Sequence, residues 1–386
     1  MSSTFEFSIP VKIIFGPGKL AEAGAQIAGL GRKALLVCGA VTAKSGLAER
    51  VRGLATAAGV EVTLYTGSVP NPTTDSIDAG AAVCRKAGCN VIIGLGGGSA
   101  IDTAKAIAVA ATHDGPIWPY AMGEKAVTAA TLPVVAITTT SGTGSHCTCF
   151  SVITNPKTNQ KPGLGSPHIL PRVAIVDPGL MLSAPPALTL VTGFDVFAHA
   201  VEAYTSKAAS PLSDIFAEQA ITLLARNLPT AYRNGTDLEA RSAMAIADTC
   251  AGVAICHAVV SLGHVMAHVI SGHFHDIAHG DALFCVYRGV LAHNAAALPE
   301  KHAWIAGQLV PGCQDVVKAF DTFFAPFPFE NRLKAKKISP AQIDAMAADT
   351  FTYMKGIVDL NPTLADVADA RRILTRSLSQ FVKGAQ

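Results

Sequence analysis

The sequence predicts an α/β domain built on a parallel sheet over residues 1–184, followed by an all-α domain over residues 185–386. Three observations predict it. Short, apolar, β-branched runs alternate with Ala-rich amphipathic segments in the first half, helical periodicity fills the second, and the texture changes once, near Ala184, with no low-complexity linker.

In order, the strand runs are KALLVCG, EVTLYTG, CNVIIGLGGGS, PVVAITTTSGTGS and VAIVDP, and helical segments such as LAERVRGLATAAG and IDAGAAVCRKAG fall between them. Strands apolar along their whole length describe a parallel sheet covered on both faces. An earlier apolar segment, FSIPVKIIF, reads as an N-terminal strand. Its exposed edge would be a liability unless it were paired. The later helices are ALTLVTGFDVFAHAVEAYTS, DIFAEQAITLLARNL, EARSAMAIADTCAGVAI, SPAQIDAMAADTFTYM and TLADVADARRILTRSLSQFV.

A chain of 386 residues exceeds one ordinary core and fits two domains. Charged residues are 15% and apolar ones 50%, so much of the surface should be buried. The net charge is +2 with no basic run interleaved with aromatics, which argues against nucleic acid and anionic membranes and leaves a small-molecule partner. The mean hydropathy of +0.37 raises the membrane question. The most apolar stretch, MAIADTCAGVAICHAVVSLGHVMAH, contains Asp248, His257 and His264 and suits packed interior helices. MSSTFEFSIP lacks the features of a signal peptide, and nine cysteines at irregular spacings make no disulfide framework. A reduced, cytoplasmic protein is expected.

Three motifs carry chemistry. In GLGGGSAIDTAKAIA a buried strand enters a glycine cluster and then a helix, so backbone N–H groups at Gly96, Gly97, Gly98 and Ser99 can approach a diphosphate. The spacing differs from the usual GxGxxG, and such turns also occur for packing. In ITTTSGTGSHCTCF a second strand end opens into the hydroxyls of Thr138, Thr139, Thr140, Ser141 and Thr143. Two such loops after parallel strands favour one shared nucleotide over a solvated Ser/Thr loop. The third signal is imidazole: His264 to Gly280, HVMAHVISGHFHDIAHG, holds five of the twelve histidines. Asp195 and His199 are four apart in a helical pattern, as are His264 and His268, and His279 follows in a Gly-flanked turn. An Asp with several His from separate helices suits a divalent first-row ion, whereas His273 and His275 read as ordinary histidines.

These residues resemble the iron-containing, or group III, alcohol dehydrogenase family over nearly the whole chain. The resemblance runs through FGPGKL, PNPT at 70–73, GGGSAIDTAKA, TTTSGTGS, VAIVDPGLML, FDVFAHAVEAYTSKAASPLSD and HVMAH with HG eleven residues later. It implies a Rossmann-like first domain and a helical second one, the dehydroquinate synthase-like fold. It implies a metal-dependent, NAD(P)-linked alcohol dehydrogenase or aldehyde reductase acting on a small alcohol or aldehyde, working as a homodimer or higher homo-oligomer. Residue by residue, Asp195, His199, His264 and His279 match the family's metal ligands, with Fe(II) or Zn(II) as the ion. His268 matches its non-ligand histidine near the nicotinamide, a candidate proton relay. Gly96, Gly97, Gly98 and Ser99 match the diphosphate loop, and Asn71, Asp102, Thr138, Thr139 and Thr143 fall among the cofactor contacts. In such a site the ion is a Lewis acid that lowers the alcohol's pKa, so that hydride can pass to nicotinamide.

Three departures stand out. NAD-using members commonly carry Asp where this chain has Gly39; without that carboxylate a 2′-phosphate is not repelled, so NADPH is expected to be accepted, with Lys44 near in sequence. The pattern TGSE followed by an apolar residue gives way to His146, Cys147 and Cys149. The span from His268 to His279 is one residue longer than the pattern. Phe150, Phe274 and Phe284 are candidates to line an apolar substrate pocket. A dehydroquinate synthase-like lyase would need basic residues near the metal, which the motifs lack. A glycerol dehydrogenase-like enzyme would differ in its ligand pattern, and intact motifs argue against a non-catalytic nucleotide or metal sensor.

Overall fold

Among the described residues eight strands form, β1 (Lys12–Phe15), β2 (Lys33–Gly39), β3 (Glu61–Ser68), β4 (Val91–Gly96), β5 (Val134–Thr138), β6 (Phe150–Val152), β7 (Gly163–Gly165) and β8 (Val173–Val176). The structure is a computed structural model that describes residues 4–329, 338–352 and 354–378. Six strands make one sheet in the order β1-β8-β5-β4-β2-β3, every neighbouring pair parallel, and β6 and β7 form a separate antiparallel hairpin. Of the expected N-terminal strand only Lys12–Phe15 is extended in a ladder, and it pairs with β8 of its own sheet, Lys12 opposite Val173.

The helices of this α/β part are α1 (Ala23–Ala28), α2 (Ala40–Lys44), α3 (Leu47–Ala57), α4 (Thr74–Ala87), α5 (Gly98–Ala110) and α6 (Trp118–Ala121). They cover both faces of the sheet. Leu35, Val37 and Ile92 pack with Ile77 and Ile107, from α4 and α5, while Leu36, Cys38 and Ile93 pack with Leu20 and Val51 on the other side. That alternation is the period of two of a pleated strand, and it explains why β4 and β5 are buried along their whole length. After β2 the chain moves to the edge strand β3, whereas after β4 it moves to β5 on the opposite side. The carboxyl ends of β2 and β4 therefore flank a topological switch point, the place where open α/β sheets receive ligands.

From Pro186 the chain is helical: α7 (Pro186–Thr205), α8 (Pro211–Arg233), α9 (Leu238–Ala258), α10 (Leu262–His273), α11 (His279–Asn294), α12 (Pro299–Leu309), α13 (Val316–Phe324), α14 (Pro340–Asp349), α15 (Lys355–Val358) and α16 (Val367–Leu378). Capping boxes at Ser210/Ser213 and Ser339/Gln342 start α8 and α14. The pattern expected to run from Ser339 to Met354 as one helix breaks after Asp349, and Tyr353 lies outside the described residues. Residues 379–382 of the last expected helix lie outside them too. Phe194 of α7 is the centre of an aromatic core, edge-on to Phe284, Tyr287 and Phe324, and the Tyr287 hydroxyl donates to the Ala198 carbonyl at 3.1 Å.

The chain divides into two compact units that do not follow a single cut. The α/β unit comprises Ser8–Ala184 together with Thr236–Ala245, and the helical unit takes Pro185–Gly235, Ile246 onward and the described residues before Ser8. Arg241 explains the first exchange by donating to the Ala184 carbonyl at 2.9 Å, while Ala245 packs with Val176 and Met181. Phe7 explains the second, stacked on His257 and Phe216. Among the described residues no single helix is long and apolar enough to cross a membrane; only α9 and α10 together pass that test, and they are bent by 101°.

Candidate cofactor cradle and metal centre

In the α/β unit, β4 ends in the glycine turn and α5 starts at Gly98 with Gly97 as its N-cap, whose lack of a side chain leaves the first-turn N–H groups without a side-chain cap. The hydroxyl loop after β5 folds directly against this turn. Thr139 N–H donates to Gly96 O at 3.0 Å, and a Cβ at Gly98 would stand 2.4 Å from Thr143 Cγ2, so only glycine lets the two loops meet. Uncapped amides at a helix start beside hydroxyls are the donor set a dinucleotide's diphosphate takes. Thr138 is buried and donates to the Thr140 carbonyl at 2.9 Å, and Thr143 Oγ1 accepts from Ser145 N–H at 3.2 Å. The Ser99 carbonyl accepts from Thr103 at 2.7 Å. Gly39 closes β2 as the N-cap of α2, at the other side of the switch point, with Lys44 exposed in the last turn of α2.

Asp102, expected among the cofactor contacts, has both carboxylate oxygens engaged inside the unit. Ser145 Oγ donates to one at 2.5 Å and Val152 N–H to the other at 2.9 Å, so Asp102 ties α5 to the hydroxyl loop and to β6. Burial pushes its carboxyl above the ordinary range, against the pull of Lys105. Lys105 itself is fully buried, donating at 2.8 Å to the carbonyls of both Thr148 and Phe150. Its charge and, above all, burial hold the His146 imidazole neutral, its pKa lowered to about 3. The Cys147 thiol donates to the Gly144 carbonyl at 3.3 Å. Asn71 adopts a positive φ of 52° and accepts from buried Lys161 Nζ at 2.8 Å. No motif singled out Lys161, which holds the Asn71 side chain.

In the helical unit the imidazoles converge. Asp195 and His199 lie on one face of α7, both buried, and His264 of α10 stacks its ring on His199 at 4.4 Å. Around Asp195 Oδ1 stand His264 Nε2 at 3.4 Å, His279 Nε2 at 3.6 Å and His199 Nδ1 at 3.8 Å. These separations are close to the edges, about 3.4 Å, of a tetrahedral site with bonds near 2.1 Å. Asp195 Oδ1 is buried with no hydrogen-bond partner, a costly state for a carboxylate unless a cation completes it. Asp195, His199 and His264 each offer a ligand atom within 4.8 Å of the others. His279 opens α11 and is the most exposed of the set, and the His268 ring lies 5.1 Å from it. The residues fit a divalent ion with imidazole and carboxylate donors.

Behind His264 stands Glu202, a buried carboxylate that motif reading missed. Its Oε2 lies 3.1 Å from His264 Nδ1. Burial pushes the His264 imidazole down, but the charges of Glu202 and Asp195 prevail and raise its pKa to about 9. A cation here would compete with that proton. Glu202 was legible in principle, since Asp195, His199 and Glu202 fall at i, i+4 and i+7 of one helix. His273 pairs with Asp349 at 2.7 Å and His275 is exposed. Of the aromatic candidates, Phe284 stacks on Phe329 at 3.6 Å within the aromatic core, Phe274 closes α10 and Phe150 opens β6.

Comparison with known proteins finds matches along both halves of the chain. The iron-containing alcohol dehydrogenase profile matches residues 10–178, and the C-terminal profile of the Fe-containing alcohol dehydrogenase family matches residues 189–378. The chain is 35% identical to the NAD-dependent methanol dehydrogenase of Bacillus methanolicus, over 96% of this chain and 99% of that one. It is 42% identical to the 1,3-propanediol dehydrogenase of Klebsiella pneumoniae over 78% of each. Among solved structures, an archaeal halo-thermophilic alcohol dehydrogenase from a Red Sea brine pool superposes with a TM-score of 0.93 at 37% identity, covering 98% of this chain and 100% of that one. The sulfoacetaldehyde reductase of Bifidobacterium kashiwanohense, in complex with NAD+, gives 0.86 at 30% identity, covering 98% and 100%. The chain belongs to the iron-containing alcohol dehydrogenase family and is an oxidoreductase acting on alcohols.

Proposed function

We propose that the protein interconverts a small alcohol and its aldehyde with NADPH or NADH, using Fe(II), or Zn(II) in its place, held by Asp195, His199, His264 and His279. The observation that carries this reading is Asp195 Oδ1, buried, without a hydrogen-bond partner and ringed by three imidazole nitrogens. When bound, the ion supplies Lewis acidity to the substrate oxygen and the nicotinamide carries the hydride. The chain's own residues do the rest. Gly96, Gly97, Gly98 and Ser99 present backbone donors to the diphosphate, with Thr138, Thr139, Thr143 and Asn71 beside them. His268, on the same helix face as His264, is assigned the transfer of the alcohol proton. Gly39, in place of a carboxylate, supports acceptance of the 2′-phosphate of NADPH. The odd number and irregular spacing of the nine cysteines support a reducing, cytoplasmic setting, and we assign a homodimer or higher homo-oligomer on the family resemblance alone.

The test is consumption of NADPH and NADH by metal-stripped protein with a panel of short aldehydes, before and after anaerobic addition of Fe(II) or Zn(II). Activity should return with metal. Stoichiometric metal binding without hydride transfer to any aldehyde would overturn the small-aldehyde reading.

A further inference from the structure

We propose that Glu202 is a positioning residue that builds the metal centre from the α7 side, fixing both where α10 begins and which nitrogen of His264 faces Asp195. The proposal rests on the reading that Asp195, His199 and His264 hold a metal. Three observations carry it. First, α10 starts at Leu262 without a side-chain cap from its own N-cap residue, Ser261. Glu202 takes over that task from another helix: its Oε2 accepts from Ser261 N–H at 2.5 Å and its Oε1 from His264 N–H at 3.2 Å. Second, the same carboxylate lies 3.1 Å from His264 Nδ1, while His264 Nε2 lies 3.4 Å from Asp195 Oδ1. The imidazole thus lies between two carboxylates with neither ring nitrogen in a formed hydrogen bond, Nδ1 towards Glu202 and Nε2 towards Asp195, and a carboxylate beside the far nitrogen is what orients a metal-binding histidine. Third, residue 263 is glycine where a Cβ would stand 2.3 Å from Glu202 Oε1, so the chain leaves room for the carboxylate under the first turn of α10.

These contacts make one side chain answer for both helix placement and ring orientation. Removing its charge should therefore alter the metal site itself, beyond any loss of helix stability.

The experiment compares wild type, Glu202→Gln and Gly263→Ala with Co(II) as the probe. The Co(II) dissociation constant is measured by chelator competition, the visible Co(II) spectrum is recorded, and the metal-free proteins are melted to establish folding. Glu202→Gln is expected to fold and to hold Co(II) about 10- to 100-fold more weakly, with an altered spectrum. Gly263→Ala, whose new methyl displaces the carboxylate, should shift both readouts in the same direction while keeping every ligand. A helix cap alone would lower the melting temperature and leave the spectrum unchanged. Wild-type affinity and spectrum in Glu202→Gln overturn the proposal, as they do in Gly263→Ala should the first variant not fold. Failure of the wild type to bind Co(II) overturns the metal reading on which it stands.

Discussion

Asp195 Oδ1 and His264 Nε2, from helices α7 and α10, face each other at 3.4 Å with no hydrogen bond satisfying the buried oxygen. A carboxylate in that state is stabilised by a cation and destabilises the fold without one. Asp195→Ala is therefore expected to reduce bound metal below about a tenth of wild-type occupancy and kcat/KM by at least about 100-fold. Because the ion binds only the folded state, chelation should lower wild-type stability, by about 2.7 kcal/mol where metal had stood 100-fold above its Kd. The Asp195→Ala melt should be indifferent to chelator. His268→Ala is the contrast: turnover falls while metal content stays, and loss of metal there would make His268 a ligand. Metal analysis alongside melting curves with and without chelator decides both.

Gly39 ends β2 at the switch point, and a Cβ placed there would meet only Ser68 O, at 3.3 Å. A small adjustment therefore admits a larger side chain. Gly39→Asp adds a carboxylate that can accept ribose hydroxyls and repels a 2′-phosphate. The ratio of kcat/KM for NADPH over NADH should fall about 10- to 100-fold, or about 1.4–2.7 kcal/mol of discrimination. Steady-state kinetics with both cofactors check it, and an unchanged ratio would remove Gly39 from cofactor selection.

How much of this was legible in the sequence depends on whether the partners are local. The glycine turn after β4, the hydroxyl loop after β5 and the i, i+4 pairs on α7 and α10 are short-range patterns, and each can be read without knowing the fold. Glu202 shares the α7 face of Asp195 and His199, but its partners Ser261 and His264 lie 59 and 62 residues further on, so its position was legible and its role was not. Asn71 and Lys161 are ninety residues apart, so no window of sequence joins them. The donors that Asp102 accepts from, Ser145 and Val152, lie 43 and 50 residues away, and only the folded hydroxyl loop and β6 bring them within reach. The segment Thr236–Ala245 reads as the start of a helix in the second half, yet Arg241 anchors it to the first.

His146 gives the fold a sensitivity to acid that can be measured separately from the metal site. Burial, helped by Lys105, lowers its pKa to about 3 from 6.5, so between these values the unfolded chain binds a proton that the native state refuses. Stability must then fall as pH drops below about 6.5 and stop falling on this account near pH 3, with a slope of up to about 1.4 kcal/mol per pH unit. His146→Gln removes the titration. In metal-free protein, where the other histidines are common to both chains, the loss of unfolding free energy between pH 7 and pH 5 should be about 2 kcal/mol smaller in the variant. Urea unfolding at the two pH values measures it, and equal losses would show that His146 titrates normally.

Val259 follows the last residue of α9 and has a φ of 60°, a left-handed conformation that a β-branched residue adopts only under constraint. Its N–H donates to Ile255 O at 2.9 Å, and the chain then bends by 101° into α10. Glycine at this position would relieve about 1–2 kcal/mol of steric cost and lose about 0.5–1 kcal/mol to the freedom of the unfolded chain. Val259→Gly should therefore raise the melting temperature slightly, by about 2 °C. Val259→Ala, which keeps a Cβ in the left-handed region, should gain less. A lower melting temperature in the glycine variant would mean that the isopropyl group's packing outweighs its strain. If Glu202 rather than the stiffness of this bend locates the start of α10, Co(II) affinity should not change with either substitution; a loss of affinity would assign the placement of His264 to the bend.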